Sequence, residues 1–135
     1  MKKLLILLIL LLLMVSTSVF AEWTRISQSD AYGGFIVYVD LQSIRKEGSK
    51  VRMWDLFDMR KAQQLTENTY YLSSLAHSEY DCKHETMTQL DNYSYSENMV
   101  RGEIVSSGEN LKNPSTAIRP GTQDEALFKT ACGKK

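Results

Sequence analysis

Runs of alternating or β-branched residues, separated by turn formers, cover most of this chain and restrict what it can fold into. Phe35–Leu41 is almost entirely aromatic and β-branched, which is typical of a strand in the middle of a sheet. Val51–Asp58 alternates, with Val51, Met53 and Phe57 on one face and Trp54 and Leu56 on the other. Turn formers lie between the two runs, so together they predict a β-hairpin.

Further strands are predicted on both sides of this hairpin. Trp23–Ser27 alternates, with Trp23, Arg25 and Ser27 on the same side of the strand. Thr69–His84 has a mostly apolar row at its even positions, as expected of a long strand with one buried face. Residues 85–95 and 100–107 predict at least two more strands.

Two positions interrupt this pattern. Residues 59–67 are mostly polar and lack β-branched side chains before Thr66, so they are predicted to be a connection, either a helical turn or a loop. Gly102 falls inside the last predicted strand. Because glycine otherwise weakens a strand, it indicates a bulge or a close approach of two backbones.

The C-terminal region carries a helix signal. Pro120 and Gly121 form a turn, Thr122 and Glu125 have the spacing of a capping box, and Gly133 suits a helix exit. One helix is therefore predicted over Gln123–Ala131. The fold class that follows is α+β: an antiparallel sheet of five or six strands with one C-terminal helix packed on it.

The chain contains two cysteines, Cys82 and Cys132. Only one intramolecular pairing exists, and an oxidising compartment would favour it. A redox-active pair normally sits two residues apart on one loop, so this wide spacing predicts a structural disulfide. Phe128 and Cys132 are four residues apart and share a helix face, so the bond would fasten the predicted helix to the strand that carries Cys82.

The N-terminus predicts export. Lys2 and Lys3 precede an apolar run of 12 residues, Leu4–Val15, and small polar residues lead to Ala21. This pattern is typical of a signal peptide, because a membrane-spanning helix needs about 20 apolar residues. The predicted organisation is a signal peptide at 1–21 and one domain at 22–135. Glu22 would then begin the exported domain, which leaves no cysteine there for lipid attachment.

Charge excludes some classes of function. The full chain has 16 basic and 16 acidic residues, and loss of Lys2 and Lys3 would leave a formal charge of minus two. A nucleic-acid-binding protein normally has a basic excess on one face, so no nucleic-acid partner is predicted. The main basic cluster, Arg45, Lys46, Lys50 and Arg52, surrounds a predicted hairpin tip and is interpreted as a solvated surface rather than an anion site.

No catalytic constellation stands out, and no cofactor is predicted. His77, Glu79 and Asp81 alternate on one strand and could share a cation. A solvent-facing strand is polar in any case, and three ligands from one strand rarely close a tetrahedral site, so they are not interpreted as a metal centre. The chain also lacks the Gly-x-Ser-x-Gly motif of a serine hydrolase.

Tyrosine is abundant in the predicted sheet. At least half of the aromatic side chains should be buried in the core, given the burial that each ring offers. Those that point outward would favour protein binding, because tyrosine supplies large contact area at low entropy cost. Tyr71, Tyr93 and Tyr95 are the candidates for such a surface.

The order of several structural motifs resembles the surface-adhesin protein E-like family of exported Gram-negative bacterial domains. The matching positions are Trp23, Tyr38-Val39-Asp40, Val51 with Trp54, Asp81-Cys82, Gly102 before Val105, Pro120-Gly121-Thr122 and Cys132. The resemblance implies an antiparallel sheet with a packed helix and pairing of the two cysteines. In the adhesins that name the family, it also implies binding of host matrix and serum proteins.

The function expected from this resemblance is that of an exported, non-enzymatic protein-binding domain in the bacterial cell envelope, with an unknown ligand. The alternative is a periplasmic envelope structural or assembly component that acts through self-association as a homodimer. The expected location is the periplasm or the cell surface, without a lipid anchor and without a stable membrane span after signal cleavage.

Overall fold

In residues 1–6 and 21–133, which a computed structural model describes, six strands pair in chain order in one antiparallel sheet. They are β1 (Trp23–Ser29), β2 (Phe35–Glu47), β3 (Lys50–Thr66), β4 (Thr69–Asp81), β5 (Thr86–Tyr95) and β6 (Ile104–Gly108). A two-residue strand, β7 (Thr116–Ala117), pairs with β5, and a helix, α1 (Gln123–Cys132), follows. The predicted fold class is confirmed.

The predicted signal peptide lies largely outside the described residues, because residues 7–20 are not among them. Its cleavage after Ala21 therefore stays a prediction. Within the described ranges, no helix combines the length and the apolar character that crossing a membrane requires.

The core lies between α1 and one face of the sheet. The helix contributes Leu127, Phe128 and Ala131, all nearly inaccessible to solvent. They belong to the same buried cluster as the alternate strand residues Phe35, Val37, Val39, Val51, Met53, Met59 and Tyr80. Since complete burial of a large apolar side chain stabilises a fold by roughly 1.5–3 kcal/mol, this face and the helix stabilise one another.

The prediction that residues 59–67 form a connection is wrong. β3 continues to Thr66 and meets β4 in a hairpin, in which Gln63 pairs with Tyr71 and Thr66 with Thr69. Most residues from 60 onward in this extension are exposed. Because neither face is buried there, the sequence shows no apolar alternation that would reveal a strand.

The alternation of side chains predicted for β1 is interrupted partway along the strand. A register shift between Arg25 and Ser27 interrupts the pairing with β2, and it turns Ser27 to the helix side of the sheet. The Ser27 hydroxyl donates a hydrogen bond to Oε1 of Gln123, at 2.5 Å. The bulge therefore ties the edge strand to the first residue of α1.

The helix ends confirm the predicted boundaries but not the capping box. Thr122 occupies the N-cap position, yet its hydroxyl donates to the carbonyl of Arg119 at 2.6 Å and makes no capping bond. Gly133 ends the helix in the left-handed conformation with φ 66°. Lys129 and Glu125, one turn apart, form an ion pair at 3.2 Å.

The predicted disulfide is confirmed. Cys82 follows the last residue of β4 and is bonded to Cys132, the last residue of α1, with their Cα atoms 5.8 Å apart. The bond joins positions 50 residues apart in sequence. It fastens the C-terminal end of the helix to the end of β4, one of the central strands of the sheet.

Candidate functional site

The face of the sheet turned away from α1, called the open face below, carries most of the partly exposed aromatic side chains. Directly paired residues of neighbouring strands point to the same face, so the register defines its composition. Its successive cross-strand rows are Asp40, Trp54, His77 and Asp91; Tyr38, Leu56, Leu75 and Tyr93; and Ile36, Asp58, Ser73 and Tyr95. The alternate rows, with Val37 and Val39, face the helix.

An aromatic stack occupies the centre of the open face. The rings of Trp54 and His77 lie nearly parallel, with an interplanar angle of 8° and centroids 4.5 Å apart. The Tyr93 ring lies on the same Trp54, with centroids 6.3 Å apart. Nδ1 of His77 is also within hydrogen-bond distance, 3.1 Å, of Oδ2 of Asp91. These contacts hold three large side chains in fixed orientations.

The tyrosine of this stack is linked to the loop after β6. The Tyr93 hydroxyl donates a hydrogen bond to Oε1 of Glu109, and this bond raises the pKa of Tyr93 to about 12. The backbone amide of Asn110 donates to Asp91 and lowers the pKa of that carboxyl. At neutral pH the open face therefore presents a neutral tyrosine beside an ionised aspartate.

A charged group borders the stack toward the β2–β3 hairpin tip. Nε of Arg52 lies 2.9 Å from one carboxylate oxygen of Glu79, and Nζ of Lys50 lies 3.4 Å from the other. The hydrogen bond from Arg52 is the main reason why the pKa of Glu79 is lowered. Two cations of the predicted basic cluster are thus held in place by one carboxylate.

Residues 96–103, called the strap below, cross the open face between β5 and β6. The hydroxyl of Ser73, a fully buried residue, donates to the carbonyl of Glu97 at 2.6 Å and accepts from the amide of Val100 at 3.0 Å. One serine on β4 therefore bonds two backbone groups of the strap. Leu56, in the neighbouring row, is fully buried as well, which gives this face a small apolar floor.

A carboxylate on β3 provides the second attachment of the strap. Oδ1 of Asp58 accepts from the amide of Met99 at 2.7 Å and from the side chain of Asn98 at 3.0 Å. Met99 and Val100 both have positive φ, 55° and 56°, which is costly for a β-branched residue such as valine. Neighbouring hydrogen bonds thus hold the strap in a conformation that the chain would not adopt alone.

Gly102 lets the strap close on itself. Its φ is +78°, and a Cβ built on it would lie 2.3 Å from the Ser96 hydroxyl. The close neighbours of this glycine are side-chain atoms of Ser96 and Glu97, so the predicted approach of two backbones is wrong, and the glycine lies in the strap and not in a strand. The same loop is closed by the Ser96 amide, which donates to the carbonyl of Glu103 at 2.9 Å.

A cavity of about 490 Å³ opens beside the strap. Its wall includes Trp23 from the edge strand β1, Leu75 and Tyr95 from the sheet, and Met99 and Val100 from the strap. Ala21 lines it as well, and the predicted signal cleavage would remove that residue and widen the opening. Cavities of roughly 300–1,000 Å³ with apolar and aromatic walls are typical of binding sites. The open face thus combines a fixed aromatic stack with an adjoining apolar recess.

Replacement of Ser73 with alanine should loosen the strap. The substitution removes both hydrogen bonds and leaves the part-buried carbonyl of Glu97 and amide of Val100 without these partners, which costs about 1 kcal/mol for each bond. We expect faster amide hydrogen exchange in residues 96–103 than in the native protein, while exchange in α1 changes little. Ser106→Ala on β6 is the matched control. Equal exchange in the strap of both variants would contradict this role of Ser73.

The structure separates the tyrosines that were predicted to form a surface. Tyr93 and Tyr95 lie on the open face, two residues apart on β5. Tyr71 instead packs against the core cluster and lines a different cavity with Phe35 and Phe57. Trp54 and His77 were not predicted to belong to this surface, because only the β3–β4 register places them opposite each other.

The three residues weighed as metal ligands share a face but have different partners. His77 contacts Asp91, Glu79 contacts Arg52 and Lys50, and Asp81 accepts bonds from the backbone and faces the ring of His84. In the part of the chain that the structure describes, no group of three or more His, Cys, Asp or Glu residues could hold a metal ion.

An antiparallel meander covered on one face by a disulfide-bonded C-terminal helix places the chain among the small α+β domains. Residues 23–133 match the family model of Surface-adhesin protein E. The chain belongs to this family, which agrees with the resemblance found in its motifs.

Solved structures with the same fold come from Haemophilus influenzae. Crystal form II of its protein E has a TM-score of 0.59 at 18% identity, covering 72% of this chain and 80% of that chain. A structure of protein E from a non-typeable strain has a TM-score of 0.57 at 18% identity, covering 85% and 79%. A third protein E structure has a TM-score of 0.58 at 18% identity and covers 87% and 90%. At this identity the likeness establishes the fold. No protein of curated function matches the chain.

Proposed function

We propose that this protein is an exported, non-enzymatic, adhesin-like domain of the bacterial cell envelope that binds another protein through its open face. The observation that carries the proposal is the Trp54, His77 and Tyr93 stack, which is partly exposed on the face that α1 does not cover. Membership of a surface-adhesin family supports the same function. Following the family resemblance, host matrix or serum proteins are the partners that we propose.

The composition of the open face favours protein recognition over catalysis. Tryptophan, tyrosine and arginine are the residues most often responsible for binding energy at protein interfaces. Trp54, Tyr93 and Arg52 are held by ring stacking, a hydrogen bond and an ion pair, so little side-chain entropy would be lost on binding. The apolar recess beside the strap could receive an aliphatic or aromatic side chain of the partner.

The proposed location follows from the N-terminal sequence. A signal peptide at 1–21 would export the domain, and Glu22 at the start of the exported chain would offer no cysteine for a lipid anchor. We therefore propose a periplasmic or surface-exposed protein without a lipid anchor.

Loss of the aromatic stack should weaken binding strongly. Purified protein would be titrated against an immobilised extracellular-matrix preparation and against immobilised serum proteins, with affinity read by interferometry. Because truncation of a hot-spot aromatic residue costs about 2 kcal/mol or more, Trp54→Ala and Tyr93→Ala should each lower affinity roughly thirtyfold. Tyr70→Ala is the matched control, since Tyr70 is 50% exposed but lies at the β3–β4 hairpin.

Sedimentation of the protein alone separates this proposal from its alternative. A monomer at micromolar concentration that binds matrix or serum protein supports the adhesin-like function. A dimer that binds neither preparation, and that dissociates when Trp54 is replaced, would overturn it in favour of self-association. Equal affinities of the Trp54, Tyr93 and Tyr70 variants would exclude the open face as the binding surface.

A further inference from the structure

A second cavity lies between α1 and the sheet, on the face opposite to the proposed binding surface. This chamber, of about 250 Å³, is partly open to solvent. Asp55 and Ser78 line it from the sheet, and Asp124 and Leu127 line it from the helix. The aromatic stack and the strap contribute nothing to it, so it is independent of the function proposed above.

One carboxylate oxygen on the chamber wall has no partner among the described residues. Asp55 is only 2% exposed, and its Oδ1 makes no hydrogen bond to them. The hydroxyls of Ser78 and of its buried neighbour Tyr80 lie close enough to pair with each other. Buried polar groups in native proteins are nearly always paired, so the oxygen of Asp55 indicates a site that a ligand completes.

The acidic groups of the chamber favour a cation. The carboxyl groups of Asp55 and Asp124 line it, and none of the described lining residues is lysine, arginine or histidine. The two carboxyls are close enough that Asp124 contributes to the raised pKa of Asp55. A ligand that supplies N–H donors and positive charge would pair with the unbonded oxygen of Asp55 and balance the charge of Asp124.

The remaining wall selects an organic cation. Phe57, Met87 and Leu127 line the same chamber and offer only apolar contacts. A calcium ion takes six to eight oxygen ligands, whereas an ammonium group needs about three hydrogen-bond acceptors and carries an alkyl chain that such walls can accommodate. The volume of the chamber limits the alkyl chain of the ligand to a few carbon atoms.

We propose that the chamber binds a primary ammonium group on a short alkyl chain, with Asp55 as the main acceptor and Asp124 as a second carboxylate. Burial, followed by the charge of Asp124, raises the pKa of Asp55 to about 8. Asp55 is therefore protonated at neutral pH when the chamber is empty. Binding of an ammonium group would displace that proton.

This ammonium group could come from a free amine or from a lysine side chain of a peptide. Calorimetric titration of the purified protein with n-butylammonium tests the first source. Titration with an Nα-acetylated lysine amide, which has no free α-amine, tests the second. Binding of either probe supports the proposal. The probe that binds with the higher affinity shows whether the ammonium group comes from a free amine or from a lysine side chain.

Two readouts distinguish a built site from weak surface binding. At pH 7 the wild-type protein should release close to one proton per bound amine, measured by titration in buffers of different ionisation enthalpy. Asp55→Asn should weaken binding at least tenfold and abolish the proton release. Asp124→Asn should weaken binding less, and Asp30→Asn, whose carboxylate is fully exposed, should match the wild type.

Three results would overturn the proposal. The first is the absence of heat with both amines at millimolar concentration, which would mean that the chamber holds only solvent. The second is equal affinity of the wild type and the Asp55→Asn variant. The third is tighter binding of potassium or calcium than of n-butylammonium, which would make the chamber an inorganic cation site.

Discussion

Replacement of Cys82 and Cys132 with alanine is expected to lower the free energy of unfolding by about 4 kcal/mol. The bond closes a loop of 50 residues, and a loop of this length restricts the unfolded chain by about that amount in the loop-entropy account. Small domains are stable by only about 5–15 kcal/mol, so the loss is a large share of the total. Urea denaturation of the variant and of the oxidised wild type measures it.

The helix should be the element most affected. Cys132 is its last residue, and Leu127 and Phe128 belong to the core that the bond holds against the sheet. Reduction of the wild type should reproduce the stability of the double variant, and the reductant should leave the variant unchanged. A wild type whose denaturation midpoint is insensitive to reduction would contradict a stabilising role for the disulfide.

Replacement of Asp55 with asparagine is expected to remove a strong dependence of stability on pH. The folded-state pKa of Asp55 is about 8, and its ordinary value is 3.8. Between these values the unfolded chain has released a proton that the folded protein keeps. The free energy of unfolding therefore falls as pH rises through this interval, by up to about 1.4 kcal/mol per pH unit.

The pH range over which the free energy of unfolding changes identifies Asp55 as the group responsible. Below about pH 4 both states hold the proton, and above about pH 8 both have lost it, so the contribution of Asp55 is then constant. Glu79 and Asp91 have lowered pKa values, and their contribution is present above their ordinary pKa and disappears as pH falls further. Measurements from about pH 4.5 to about 8.5 therefore isolate Asp55.

Between about pH 5 and pH 8 the wild type should lose on the order of 3 kcal/mol of stability that the Asp55→Asn variant keeps. Asp30→Asn makes the same chemical change at a fully exposed position and should follow the wild type. Denaturant titrations across the pH series provide the comparison. Parallel profiles for the wild type and the Asp55 variant would show that this carboxyl ionises normally.

The parts of the fold that depend on local chemistry were predictable. Alternation and β-branching indicated β2 and the first half of β3, and Pro120, Gly121 and Gly133 bounded the helix. The extension of β3 to Thr66 was not predicted because both of its faces are solvated. The bulge before Ser27 was missed for a related reason, since a single extra residue leaves no mark in a short amphipathic run.

The candidate site depends on long-range register, which local patterns do not encode. Trp54 and His77 are 23 positions apart and meet only because β3 and β4 pair in one particular register. The strap depends on Asp58 and Ser73, two ordinary polar residues until residues 96–103 fold over them. Gly102 was the one local sign of that closure.

The most direct test of the proposed binding face is hydroxyl-radical footprinting of the complex with the matrix or serum protein that binds tightest. Oxidation of Trp54 and Tyr93 on the sheet and of Met99 in the strap should fall on binding. Tyr32 and Tyr70, which are 77% and 50% exposed outside the open face, should be oxidised as in the free protein. Unchanged oxidation of Trp54, Tyr93 and Met99, with protection of Tyr32 or Tyr70 instead, would contradict binding through the open face.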